Sequence, residues 1–459
     1  MWRVECDIAP LEAVLVHEPG LEFMWARTTI GDYEPVYPSN ERYVKKMKSE
    51  HKAFVKTIKE NSSAQVFYVE KLIDNFLDEA SKNERKSFLR EAIGENRLEK
   101  LSNLVDIDKV DSSHLIGTVC PWKYIAEDGT TVIRPITSLR FTRDSAATLH
   151  GGLVVANFVP GASWYRVEEP ELLRAVVTYC SEVKEKVVLF EDFSKKKEMF
   201  LQGGDVMPID EETLAIGAKN RTTMNTIESI AERLFRECDV KTVYAVHQAQ
   251  CPPEEKAGNL QYIWMHLDTV FNFVDKRKVL TFQNMTRDER LRKVLVKGLE
   301  TWHKTLFDRA ERFTEYPKIK EDLEKFVNGP GQLVNSVRDD ISKVTVFRKG
   351  QNEHKVEGYF LDVLVKDDKI DQDGIITVAG DPDDYKDEYE YAAIAISEEV
   401  TQASNVLTLR PGTVVGYDAN VRTIKALRNA GVRVISFPSD ELSTIVGGPH
   451  CMTMPFSRK

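Results

Sequence analysis

Long apolar runs are missing from this sequence: none approaches the roughly 20 residues that a membrane-crossing helix needs. Cysteine is scarce, with six in 459 residues (Cys6, Cys120, Cys180, Cys238, Cys251 and Cys451), too few for a disulfide-stapled scaffold. No two of them form a CxxC pair, which argues against a structural zinc site or a redox motif, and a reducing, cytoplasmic compartment is the expectation. An excess of positive charge is missing too. Lys and Arg number 63 against 73 Asp and Glu, a net charge of −10, which excludes a basic nucleic-acid binder. The opening residues carry Glu5, Asp7 and Glu12 where a secretory leader needs an uncharged stretch, so the chain is expected to start as folded protein. What remains is ordinary globular composition, 42% hydrophobic and 30% charged, which rules out a disordered or collagen-like chain. The length suits two or three average domains or one enlarged α/β domain.

Apolar periodicity alternates along the chain. Strand-like runs occur at 13–16, 65–69, 131–136, 153–159, 186–191, 213–218, 241–246, 270–275, 405–409, 413–418 and 433–438. Between them lie helical patterns, the clearest over 40–62, where Tyr43, Met47, His51, Phe54, Val55 and Ile58 recur at helical spacing. The alternation predicts an α/β protein. A charge-rich helical stretch over 70–110 reads as an insertion. A second charged stretch over 286–396, with a breaker at 328–331 and an acidic run at 381–390, reads as another. Asp371-Gln372-Asp373-Gly374 hints at a calcium loop, but Lys369 and Gly380 stand at the first and twelfth ligand positions, so a solvated acidic loop is the expectation.

Four short segments set reactive side chains beside glycines or strand ends: Phe141-Thr142-Arg143-Asp144, Gly203-Gly204-Asp205, His266-Leu267-Asp268, and Gly447-Gly448-Pro449-His450-Cys451. Cys451 follows three turn formers, a setting that can aim backbone N–H groups at a thiol and lower its pKa, although a structural cysteine reads the same way. His266 and Asp268 share a face at strand spacing, which suits acid–base work beside a cation or a plain surface pair. Asp144 and Asp205 suit carboxylate ligands or turn caps. One Cys, one His and several Asp fit nucleophilic catalysis at a carbon held by carboxylates. With no second His at ligand spacing, they fit a metal site poorly.

The combination resembles the arginine deiminases of the guanidino-group-modifying (pentein) superfamily. The resemblance runs through AVLVHEPG, EHKAF, RFTRD, GGDVMPI with IGAKNRTT, MHLDTVF and the tail from NVLTLRPGTVVGYD to GGPHCMTMP. It implies a pseudo-fivefold α/β propeller of ββαβ units, one catalytic domain over 1–459 enlarged by the two insertions. It implies Cys451 as nucleophile, His266 as general acid/base, and Asp144 and Asp268 as the carboxylates that grip a guanidinium. Arg221, and with a less regular spacing Arg166, match the arginines that hold the substrate carboxylate. Phe141, Asp205 and Gly448 fall among the substrate contacts. The implied partner is a small guanidino compound. No metal or cofactor, nucleic acid or membrane is expected, and the assembly is expected to be a homo-oligomer.

Three positions depart from the family pattern. The glutamate before the Gly-Gly-Asp motif, which pairs with the catalytic histidine, is Gln202 here. An asparagine that helps bind the substrate carboxylate is Ser138, and an arginine five residues before the nucleophile is Val446. L-arginine hydrolysis to L-citrulline and ammonia is the leading expectation. A different guanidino or ureido substrate, an amidinotransferase, and a catalytically impaired paralogue stay open beside it.

Overall fold

The computed structural model describes residues 1–29, 40–159, 166–194, 196–219, 221–248, 265–285, scattered positions from 290 to 304, and 342–351, 354–444 and 447–459. Cys251, the breaker at 328–331 and Val446, singled out in the sequence, lie outside them.

Among the described residues, five sheets share one plan. Each has an antiparallel pair of strands and a third strand parallel to the middle one. A parallel partner requires a crossover, and each unit supplies one containing a helix. In the first unit Leu11–Val16 is the middle strand, antiparallel to Met454–Arg458 and parallel to Gln65–Tyr68, with helix Glu41–Asn61 between. The second unit joins Ala146–Leu149, Gly152–Val155 and Leu189–Asp192 through Glu168–Tyr179. The third joins Val206–Asp210, Thr213–Ala218 and Thr242–His247 through Met224–Glu237. The fourth joins Phe271–Asp275, Lys278–Thr281 and Ile375–Thr377, and the fifth joins Leu407–Arg410, Thr413–Tyr417 and Arg433–Phe437.

The units close into a ring. Met454–Arg458 packs on Ala146–Leu149, which packs on Val206–Asp210. The turn Gly203–Asp205 meets the turn Leu267–Thr269, Phe271–Asp275 meets Leu407–Arg410, and Leu407–Arg410 returns to Leu11–Val16. The fold is therefore the α/β, pseudo-fivefold ββαβ arrangement expected. Middle strands are buried along their whole length in units two, three and five, which is why they read as unbroken apolar runs. The crossover helices of units one, three and five bury one face only, whereas in Glu168–Tyr179 the six consecutive residues Leu172 to Val177 are all buried. Glu41–Asn61 turns Tyr43, Met47, His51, Phe54, Val55 and Ile58 inward, and the Asn40 side chain caps it by accepting the Tyr43 N–H.

Helices Val69–Glu79, Lys82–Ile93 and Glu95–Ser102 fill the link between units one and two. Phe88 and Leu89 join Leu172 and Val176 of the second unit's helix in one core. The segment 286–396 is more than a solvated excursion. Its strand Lys343–Arg348 pairs with Thr242–His247 and extends the third sheet, and its Ile375–Thr377 completes the fourth. The apolar run at 131–136 forms no strand. Val132, Ile133 and Ile136 are buried, and single hydrogen bonds to Tyr124 O and Ile116 O hold the backbone of Val132 and Ile136. Among the described residues, no helix is long and apolar enough to cross a membrane.

Candidate active site

Each unit's first strand is preceded by a short lead-in, and the five lead-ins meet at the centre of the ring. They bring Asp144, Gln202 with Asp205, His266 with Asp268, Asn405, and Cys451 into one cluster, each at most 1% exposed. Glycines allow the approach. A Cβ on Gly204 would stand 2.7 Å from His266 Nδ1 and 3.0 Å from Asp268 Oδ1, so those two atoms converge on one small space. Gly447 has φ +120°, and a side chain there would strike the Phe141 ring, so the lead-in to Cys451 must begin with glycine.

Cys451 Sγ lies 3.5 Å from Asp268 Oδ2, and His266 Nδ1 lies 3.5 Å from Asp144 Oδ1. The other ring nitrogen, Nε2, is 2.5 Å from Gln202 Oε1, which also accepts from Arg221 Nη1 at 3.4 Å. A guanidinium only donates, so the amide oxygen faces Arg221 and His266 Nε2 carries the hydrogen that it gives to Gln202. Asp144 Oδ1 and Asp268 Oδ1 have no hydrogen-bond partner among the described residues, and neither has His266 Nδ1. A buried carboxylate oxygen without a donor is costly, so two beside one thiol mark a place for a ligand rich in N–H groups.

Burial pushes Asp144 up, but the charges of His266 and Arg166 outweigh it and hold the carboxyl below its usual value. The Cys451 thiol goes the other way. Burial raises it well above the ordinary range, and Asp268 and Asp144 add to the rise. This corrects the expectation that turn formers expose and acidify it: the loop buries the sulfur between carboxylates.

Arg166 stands elsewhere than its expected role at a substrate carboxylate. Its Nη1 donates to Asp144 Oδ2 at 2.8 Å, while Nε and Nη2 form a fork on Glu169 at 2.9 and 2.8 Å. Asp205 also departs from the expected substrate contact. Its oxygens accept from Thr222 Oγ1, the Leu267 N–H and Gln248 Nε2, fixing the peptide between His266 and Asp268. Phe141 lies under the Arg140 guanidinium, and Ser138 lies in the turn Thr137–Arg140. Arg221 is 9% exposed, the least enclosed of the expected site residues described. Gly448 adjoins Asn405.

Sequence reasoning missed His450, Asp7 and Asn405. His450 bridges two carboxylates, with Nδ1 2.8 Å from Asp268 Oδ2 and Nε2 2.8 Å from Asp7 Oδ2. No spacing links residues 7 and 450; only the pairing of the first and last strands does. A signal for Asn405 was present, since it is the first residue of the run read as a strand at 405–409, which the structure shortens to Leu407–Arg410 and so leaves Asn405 in the lead-in.

Burial pushes Asp7 up, but His450, Arg143 and Arg458 together hold it well below the usual carboxylate range. Asp7→Asn is therefore expected to destabilise the fold by about 3–5 kcal/mol at neutral pH, because it strands buried positive groups. The sign with pH follows from the depressed value. This stability is present above the ordinary carboxylate pKa of about 4 and fades as acid protonates Asp7, so the gap between wild type and variant narrows there. Denaturant titrations at pH 7 and pH 3 check it, and equal midpoints at pH 7 would refute the assignment.

The sequence profile described as "Arginine deiminase" matches residues 122–352 and 390–458. The arginine deiminase of Mycoplasma capricolum subsp. capricolum is 27% identical, aligned over 100% of this chain and 97% of that protein. That of Listeria monocytogenes serotype 4a is also 27% identical, over 100% and 98%. Among solved structures, the substrate-bound N-terminal domain of ArgZ, a cyanobacterial arginine dihydrolase, aligns at TM-score 0.47 and 11% identity, over 97% of this chain and 98% of that one. The chain spans about 40% of full-length ArgZ and AgrE. The profile takes in the lead-ins that carry Asp144, Gln202, His266, Asn405 and Cys451, and it covers close to two thirds of the sequence: the chain belongs to the arginine deiminase family.

Proposed function

We propose that this protein hydrolyses the guanidino group of L-arginine to L-citrulline and ammonia through an intermediate covalently linked to Cys451. The observation that carries the reading is the pair of buried, donor-less oxygens, Asp144 Oδ1 and Asp268 Oδ1, beside Sγ and His266 Nδ1. A guanidinium offers N–H donors to both oxygens and brings a further positive charge between the two carboxylates. That charge also offsets the carboxylates that disfavour the thiolate, so substrate binding generates the nucleophile.

The thiol proton passes to His266 Nδ1, Sγ bonds to the guanidino carbon, and the carbon–nitrogen π pair moves onto nitrogen. His266 gives its Nδ1 proton to the departing nitrogen, which leaves as ammonia with the electrons of its bond to carbon. The same imidazole next takes a proton from water. The water oxygen bonds to the carbon, the carbon–sulfur bond breaks, and the ureido product and the thiol result. Arg221 is assigned to the substrate carboxylate, where it would orient the chain for attack. The reading is of a cytoplasmic homo-oligomer that uses no metal or cofactor.

Gln202 supports a second reading. Its neutral amide gives His266 no counter-charge, which favours slow turnover, or a neutral ureido group as substrate. One experiment tests both. Incubation with L-arginine, citrulline, agmatine and a guanidino acid is expected to yield ammonia and citrulline from L-arginine. Absence of product from all four, with no mass adduct on Cys451, would overturn both readings.

A further inference from the structure

We propose that Asn405 is a catalytic residue of this site, whose Nδ2–H holds the sulfur of Cys451 as it ionises. Three contacts define its pose. Nδ2 is 3.2 Å from Cys451 Sγ and 2.9 Å from the Asp268 carbonyl oxygen, and Oδ1 accepts the Cys451 backbone N–H at 3.0 Å. The amide cannot be turned over. The Cys451 N–H only donates and the Asp268 carbonyl only accepts, so a flipped side chain would lose both bonds. The Nδ2 hydrogens therefore face Asp268 O and the sulfur. One side chain thus holds the nucleophile by both its main chain and its reactive atom.

The groups around Asn405 keep it there. A Cβ on Gly448 would stand 2.7 Å from Asn405 Cβ, O and Oδ1, so a glycine at 448 is what admits the amide. The preceding residue is anchored as well. Ser404 Oγ lies 2.7 Å from Thr269 O and 2.6 Å from Glu399 Oε1, yet a hydroxyl has one proton. The carbonyl must receive it, so Glu399 is the neutral acid that donates to Ser404, and burial pushes its pKa up to about 8. Asn272 Nδ2 adds bonds to Ser404 O and Asp268 O, both at 2.7 Å. The lead-ins of the fourth and fifth units are thereby stitched together under the sulfur.

The titratable groups facing Cys451 are Asp268 and Asp144, which oppose ionisation, and the Tyr417 hydroxyl. Against them Asn405, with a backbone hydrogen bond at Gly448, favours the thiolate. A hydrogen bond to a charged acceptor is stronger than one to a neutral acceptor, so this bond tightens as the thiol ionises.

The assignment rests on Cys451 as the nucleophile, but its test does not need turnover. Iodoacetamide reacts with thiolates, and peptide mass mapping separates Cys451 from the other cysteines. In Asn405→Ala the pH profile of Cys451 alkylation is expected to move to higher pH, with about tenfold slower reaction at a fixed pH below the midpoint. Asn405→Asp keeps the acceptor for the Cys451 N–H, replaces the donor by a charge, and is expected to move the profile further. If the protein turns over L-arginine, kcat falls on the order of 10²-fold in Asn405→Ala while KM changes little. An unmoved profile in either variant, with native circular dichroism, overturns the assignment. A moved profile without turnover of any guanidino compound upholds it and overturns the proposed function instead.

Discussion

Cys451→Ala is expected to lose turnover by on the order of 10⁴-fold or more, while folding normally. The magnitude follows from the proposed route, in which no other described group can form the bond to carbon. Sγ is 3.5 Å from Asp268 and, among the described cysteines, is the one thiol in this cluster, whereas Cys180 is buried in the core between units one and two. Exchanging SH for H removes little volume, so stability is expected to fall by about 1 kcal/mol at most. The free protein should also keep Cys451 neutral at pH 7, since burial and the carboxylates raise its pKa. Its alkylation should therefore accelerate only above the pH range of an ordinary thiol. Two measurements check the expectation: ammonia release by both proteins, and the mass of the Cys451 peptide after acid quench of wild type with L-arginine. Equal ammonia release by Cys451→Ala would sink the covalent route.

Much of this was legible in the sequence. The middle strands of units one, two, three and five were, because burial on both faces turns them into apolar runs, whereas Lys278–Thr281 of unit four, which opens on a lysine, was not read as a strand. Asp144, His266, Asp268 and Cys451 were singled out as reactive residue types beside chain turns, and the structure gathers them into one buried cluster. The edge strands Val206–Asp210 and Met454–Arg458 were not, since proline interrupts each apolar run and only their neighbours in the ring define them. Lys343–Arg348 was read as part of a charged insertion because its lysine and arginine ends outweighed its apolar centre. Arg166 illustrates a different limit. The resemblance suggested a partner for substrate despite the less regular spacing, but Glu169, three residues on, takes two of its N–H donors and Asp144 takes another. Composition also hid the thiol's state, because the turn formers around Cys451 say nothing of the two carboxylates that other units bring to it.

Gln202→Glu is expected to raise kcat for L-arginine on the order of 10²-fold. Gln202 Oε1 already accepts from His266 Nε2 and Arg221, so a carboxylate could occupy the same pose with both donors in place. It would convert a neutral acceptor into one that stabilises the imidazolium, and an aspartate-to-amide change beside a catalytic histidine costs about 10⁴-fold in the serine-protease triad. A smaller gain is expected here because a third carboxylate also opposes ionisation of Cys451, whose thiol Asp268 and Asp144 already push up. Arg221, 3.4 Å from the position of the new charge, absorbs part of that cost. The sign therefore depends on whether proton transfer at His266 or ionisation at Cys451 limits the rate. Substrate binding brings a cation that offsets the thiol's carboxylates but does nothing for the far side of His266, so proton transfer is the limiting step and the gain should appear in kcat. Repeating the substitution in a His266→Ala background isolates the effect. The gain should vanish there, and a gain of equal size without the imidazole would show that residue 202 acts on some other group.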